Sequence, residues 1–128
     1  MRELTKAEEQ IMHILWRLEK GFVHDILERI PDPKPAYNTV STIVRILEKK
    51  GVVGHKAYGK THEYYPIISK KDYTRSFFSG FVKNYFGNSY KAVTSFFAKE
   101  ENLSLQEMEE IKQLMEEKIK EHKDKKSE

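Results

Sequence analysis

The chain has 128 residues, 38% of them apolar and 34% charged, with no cysteine and a formal net charge of +3. That length suffices for one ordinary domain, or for one small domain with a helical appendage, and the absence of cysteine excludes disulfides, thiolate metal sites and cysteine nucleophiles. No apolar run approaches the roughly 18–20 residues of a membrane span, and the charged start MRELTKAEEQ has no signal-peptide pattern, so the expected compartment is the cytoplasm, without direct membrane insertion.

The distribution of charge says more than its total. Residues 33–62 hold six basic residues against one acid, Glu48. A local positive field of that kind attracts a polyanion even when the whole chain is nearly neutral.

Thr5-Lys6-Ala7-Glu8 reads as a capping box at a helix start. Leu4, Ala7, Ile11, Ile14, Leu15 and Leu18 follow at helical spacing, and Gly21 is expected to stop this first helix. Val23, Ile26, Leu27 and Ile30 mark a second, shorter helix, broken by Pro31, Pro33 and Pro35. A third helix is predicted from about Ala36 to Lys50, because Val40, Ile43, Val44 and Leu47 fall within a narrow arc, and Gly51 suits its left-handed end. A hairpin comes next. Val52 and Val53 lead into His55-Lys56-Ala57-Tyr58, Gly59-Lys60 forms the turn, and Thr61 to Ile67 returns.

Ser69 caps a fourth helix with Asp72 in its first turn, and Gly87-Asn88 breaks it. A fifth carries Tyr90, Val93, Phe96 and Phe97. Ser104-Leu105-Gln106-Glu107 is a second capping box, opening a sixth helix with Leu105, Met108, Ile111, Met115 and Ile119 on one side. The charged end from His122 is expected to fray. The expected fold is therefore mainly α with a small β-hairpin wing. A winged helix-turn-helix DNA-binding domain over 1–68 is followed by a helical dimerisation domain over 69–123 and a disordered tail over 124–128.

The far side of the third helix carries Asn38, Ser41, Thr42, Arg45 and Lys49, with Tyr37 and Thr39 at its start and no carboxylate at its centre. A face selected only for solubility would mix Glu with Lys. Short hydroxyl and amide side chains approach base edges closely, and Arg45 can grip guanine or phosphate with two parallel bonds, which is the pattern of a recognition helix in a major groove. The hairpin offers Lys56, Tyr58, Lys60 and His62 around its turn, suited to the phosphate backbone of double-stranded DNA. The plainer alternatives are a solvated helix face and a solubilising turn.

Phe77, Phe78, Phe81, Tyr85, Phe96 and Phe97, with Met108, Ile111 and Met115, are too many large apolar groups for one short winged-helix domain to cover. A second copy of the chain, pairing two-fold, is the expected cover, and it would present two recognition helices to a palindromic operator. A ligand pocket or a different partner is the rival explanation. His62-Glu63 is followed by Tyr-Tyr-Pro-Ile and is no HExxH pair, and His13, His24, His55, His62 and His122 show no ligand spacing. Trp16 is expected in the core. With no Gly-rich phosphate loop and no Ser-His-Asp pattern, neither enzyme activity nor a metal or cofactor is expected.

Three stretches resemble the BlaI/MecI (penicillinase repressor) family: LTKAEEQIMHILW (4–16), YNTVSTIVRILEKKGVVGHKAYGKTHEYYP (37–66) and FFAKEENLSLQEMEEIKQLM (96–115). The resemblance runs from about Leu4 to about Met115, and the helix followed directly by a short basic wing is its most specific part. It implies a homodimeric repressor on a palindromic operator, often controlling β-lactamase, penicillin-binding-protein or related sensor genes. It also implies release when a membrane metalloprotease sensor, or a pathway it starts, cuts the dimerisation region. Aligned on Leu103-Ser104, the family's cut falls at Phe96-Phe97, where this chain has Phe96 in place of the family's Asn. The cysteine clusters of copper-responsive relatives have no counterpart here. The alternative function is a winged-helix module that docks its third helix on protein.

Overall fold

A computed structural model describes residues 3–127. It divides into two compact units, Met1–Phe78 and Ser79–Glu128, so the first unit extends ten residues beyond the boundary expected at 68.

In the first unit, α1 spans Lys6–Leu18. The Thr5 hydroxyl accepts from the Glu8 amide at 3.2 Å, and the Glu8 carboxylate accepts from the Thr5 amide at 3.0 Å, completing the capping box. The helix stops earlier than Gly21. Glu19 takes a positive φ of 70° and its amide returns to the Leu15 carbonyl at 2.7 Å. Gly21 has a different use: it opens a short strand, β1 (Gly21–Phe22), where a Cβ would lie 3.3 Å from a Leu18 methyl and 3.4 Å from the Asp25 Cβ. Next comes α2, Val23–Glu28, with the Asp25 carboxylate accepting from the Phe22 amide at 2.9 Å.

The proline-rich connection is held by Lys34, whose ammonium donates to the carbonyls of Leu27, Glu28 and Ile30 and so satisfies the open end of α2. It delivers the chain to α3, Tyr37–Lys49. Strands β2 (Val53–Tyr58) and β3 (Thr61–Pro66) form the predicted hairpin, with Gly51 and Gly59 at φ of 80° and 65° where only a residue without Cβ sits comfortably. The sheet order is β1-β3-β2, all antiparallel, with Gly21 opposite Tyr64 and His55 also opposite Tyr64 on its other side. Three helices and this sheet close over one cluster that includes Ile11, Met12, Leu15, Ile26, Val40, Val44, Leu47 and Val53, each 2% exposed or less. Burial of each such side chain is worth ~1.5–3 kcal/mol. Trp16, expected in the core, is partly buried and packs against the cluster from outside, its indole donating to the Ile68 carbonyl at 2.9 Å.

Helix α4 spans Lys70–Phe86, starting in the first unit and ending in the second. Ser69 caps it, accepting from the Asp72 amide at 3.0 Å. Gly87 and Asn88, both at positive φ, separate it from α5, Tyr90–Glu100. Helix α6 runs Leu105–Ser127. At its start the Ser104 hydroxyl accepts from the Glu107 amide at 3.1 Å, but the Glu107 carboxylate meets that hydroxyl rather than the Ser104 amide, so only half of the expected box forms. The tail expected to be disordered from 124 is helical through Ser127. A Lys- and Glu-rich run without Gly or Pro favours helix, and Lys125 and Lys126 complement the helix dipole in its last turn. Glu128 lies outside the described residues.

Candidate nucleic-acid interface

Helix α3 is fastened from behind. Val40, Val44 and Leu47 are fully buried, and at its C-terminal end the Lys50 ammonium pairs with the Glu8 carboxylate at 2.8 Å and reaches the Glu3 carbonyl at 3.3 Å. Burial pushes the Glu8 carboxyl up, but Lys50 together with the Thr5 amide and hydroxyl outweighs it and holds that group below the usual carboxylate range. The recognition candidates therefore stand on a rigid support.

Asn38, Thr42, Arg45 and Lys49 are all exposed. They lie within an arc of roughly 60° at ~100° per residue, opposite the buried stripe. The Thr42 hydroxyl donates to the Asn38 carbonyl at 2.8 Å, which orients its oxygen. Tyr37 is exposed at the helix start and Thr39 is exposed on the flank beside the proline loop. The N-cap Ala36 supplies no side-chain bond; the Thr39 amide is satisfied by the Ala36 carbonyl at 3.0 Å, and the amides before it have no capping side chain from Ala36. Ser41 corrects the expected face: it is 8% exposed. It sits roughly 100° around from Val40, at the margin of the buried side, where so small a residue is covered by its neighbours.

The register of the hairpin sorts the wing residues onto two faces. Lys56 and Tyr58 share one, with the Lys56 ammonium 5.2 Å from the centre of the Tyr58 ring and Phe22 of β1 edge-on to that ring at 5.9 Å. Lys60 is exposed in the turn. His62 lies on the other face, half-buried, its ring stacked on His55 at 4.1 Å and 6°. It is thus parted from Lys56 and Tyr58, which the sequence grouped it with. On this second face the His55 imidazole Nδ1 meets the Glu48 carboxylate of α3. Burial, and then the Glu48 charge, push the Tyr64 hydroxyl up, while the facing Arg45 guanidinium pulls it down. Phe22, Glu48, His55 and Tyr64 were not among the sequence candidates. Strand alternation could have paired His55 with His62 and Tyr64, but only the packing of β2 and β3 on α3 brings Glu48 to them.

The dimerisation candidates present apolar surface. In the first unit Phe77 and Phe78 of α4 are exposed. In the second, Phe81, Tyr85, Phe96, Met108 and Met115 are exposed, while Phe97 and Ile111 are half-buried. Tyr90, Leu105, Leu114 and Ile119 add to this surface, Leu105 at 69% exposure. Within the unit Phe81 contacts Tyr85 and Phe86, and Phe86 contacts Phe96 edge-on at 5.6 Å. Val82 is the one buried residue among the described residues 79–126. The Phe96-Phe97 bond lies inside α5. Among the described residues no group of three or more His, Asp or Glu side chains could hold a metal ion, and no helix is long and apolar enough to cross a membrane.

The sequence matches the family model described as penicillinase repressor over residues 4–117. It is 26% identical over 114 residues to the methicillin resistance regulatory protein MecI of Staphylococcus aureus (strain N315), spanning 88% of this chain and 93% of that protein. It is 24% identical over 127 residues to the penicillinase repressor of Bacillus licheniformis, spanning 98% and 96%. Among solved structures, a CopR repressor aligns with 53% of this chain and 100% of its own, at 26% identity and a TM-score of 0.44.

Proposed function

The chain belongs to the penicillinase repressor family and is a transcriptional repressor rather than an enzyme, and from that premise we propose that it acts as a homodimer on a palindromic operator. One observation carries this: Asn38, Thr42, Arg45 and Lys49 project together from a helix whose opposite side is fully buried, and no carboxylate stands among them. Helix α3 enters the major groove, where Arg45 reads guanine and Asn38 and Thr42 meet base edges. Lys56 and Lys60 of the wing contact phosphates, and Tyr58, braced by Phe22, positions Lys56 between them.

Dimerisation supplies the second half-site. The exposed aromatic and aliphatic side chains of α4, α5 and α6 are covered by their counterparts on a second copy, an isologous interface. The names of the relatives suggest target genes for β-lactam resistance or a related response. Release follows when a membrane metalloprotease sensor, or a pathway it starts, cuts the dimerisation region near Phe96-Phe97; because that bond is helical, the turn around it must first open locally.

Operators selected from random duplex, titrated by fluorescence anisotropy at several salt concentrations, test the proposal. Affinity should fall steeply with salt, and Arg45→Ala should weaken specific binding by about 1–3 kcal/mol. Binding that ignores both salt and Arg45 would overturn it.

A further inference from the structure

We infer that a cleft between α1 and the start of α4 binds a small planar aromatic carboxylate, at a site built from none of the DNA-reading residues. The cleft measures about 390 Å³ and is lined by His13, Trp16 and Arg17 of α1 and by Lys70, the first residue of α4. That volume lies within the ~300–1,000 Å³ of small-molecule sites. All four residues belong to the first unit. His13, Trp16 and Arg17 stand three and four positions apart, so they share one face of α1. The Trp16 indole N–H donates to the Ile68 carbonyl at 2.9 Å, which ties the chain to that face two residues before Lys70.

The indole is half-buried and held by two rings, His13 edge-on at 5.3 Å and 79° and Tyr73 tilted at 5.6 Å and 42°. Its N–H is already bonded, so it offers the cleft only apolar ring surface, which suits another aromatic ring. Arg17 and Lys70 are exposed, and neither has an ion-pair partner among the described residues. The Arg17 Nε donates to the His13 carbonyl at 3.3 Å, which leaves both terminal amino groups of the guanidinium to grip a carboxylate with two parallel bonds. The nearest acids along each helix are engaged elsewhere. Glu9, one turn before His13, accepts from the Tyr73 hydroxyl at 3.2 Å, and Asp72 pairs with Arg75 at 3.7 Å. Arg29 adds positive potential, since it shares a second, smaller cleft with Arg17. A face made only for solubility would mix acids with its bases; here two uncompensated cations border a concave aromatic surface. A carboxylate between Arg17 and Lys70 lays its attached ring on the indole, with the His13 imidazole closing one edge. An inorganic anion would leave the ring surface unused, and a neutral aromatic would leave both charges unpaired.

Trp16 is the chain's single tryptophan, so its emission and its indole N–H resonance report on this site alone. The test titrates the full chain with benzoate at fixed pH and ionic strength, beside benzyl alcohol, cyclohexanecarboxylate and inorganic phosphate. Benzoate should change both signals saturably, with a Kd of about 1–10 mM, the range for so small a ligand. Benzyl alcohol lacks the charge and phosphate lacks the ring, so each should bind at least about tenfold more weakly. Cyclohexanecarboxylate should fall between, because a puckered ring cannot lie flat on the indole. Arg17→Gln and Lys70→Gln replace exposed side chains and should each weaken benzoate by about three- to tenfold, the effect of a partly solvated charge-assisted contact. Lys20→Gln, an exposed cation outside the cleft, should leave its affinity unchanged. The absence of a saturable change with benzoate overturns the site. So does benzyl alcohol or phosphate binding as tightly as benzoate, or benzoate binding that survives Arg17→Gln and Lys70→Gln together.

Discussion

Among the described residues, the first unit gathers fifteen buried apolar side chains into one cluster, whereas the second buries Val82 alone. Composition does not explain the contrast, since both carry large aromatic and aliphatic groups. Geometry does. Around α3, three helices and a sheet close on a common centre. In α5 and α6 the apolar stripes of Tyr90, Phe96, Leu105, Met108, Met115 and Ile119 remain at the surface. A segment can thus satisfy its helical periodicity and still leave its hydrophobic surface facing water, a surface that the proposed two-fold association would cover. On the proposed function, one unit holds the DNA-reading face still and the other takes the partner copy.

The sharpest way to break that contrast is to separate the units. A chain ending at residue 78 should still melt cooperatively and sediment as a monomer, while its operator affinity falls by about 10²–10⁴ with the loss of bivalency. Full affinity in the shortened chain would show that the second unit is not needed for paired half-sites. The next largest effect distinguishes the two kinds of apolar residue. Leu47→Ala should cost about 2–5 kcal/mol in denaturant melts at any protein concentration. Met115→Asp should instead leave a folded first unit and shift the sedimentation profile toward monomer at micromolar concentration.

The first unit also has a titratable core. Burial, then the charge and hydrogen bond of Glu9, push the Tyr73 hydroxyl up to about 12, its oxygen donating to the Glu9 carboxylate at 3.2 Å. A raised folded value means this stability is complete below pH ~10 and is lost as pH climbs toward 12. The loss should be about 2–3 kcal/mol, read from melts of the wild type against Tyr73→Phe. Glu8 works in the opposite direction. Its carboxyl is lowered, so its contribution is present above the ordinary glutamate range and fades as pH falls through its folded value. Glu8→Gln should flatten the acid limb of the melting curve below the ordinary glutamate range.

Much of this architecture was legible because its signals are local. The capping box at Thr5 and Glu8, the apolar stripe of α3, the turn at Gly59 and the cap at Ser69 each depend on residues a few positions apart. The exposed trio Asn38, Thr42 and Arg45 follows from the same helical arithmetic. The errors fall where distant chain decides. Gly21 reads as a helix stop, yet it pairs with Tyr64 across the sheet, and Glu19 ends the helix in its place. Ser41 reads as exposed because periodicity reports an angle and takes no account of neighbouring bulk. His62 reads as sharing a face with Lys56 and Tyr58 because they are its neighbours in the hairpin, while strand alternation sends it to the opposite face.

By itself the sequence determined the order of elements, the exposed polar face of α3, and the excess of apolar side chains in the C-terminal helices, since each follows from composition and short-range periodicity. Tertiary structure decided how α3 is anchored through Lys50 and Glu8, how Glu48 reaches His55, and where the self-contained core ends. The physical reason is reach: backbone propensity and capping act within a turn or two of chain, whereas ion pairs, ring stacks and burial act through space between residues that only folding brings together.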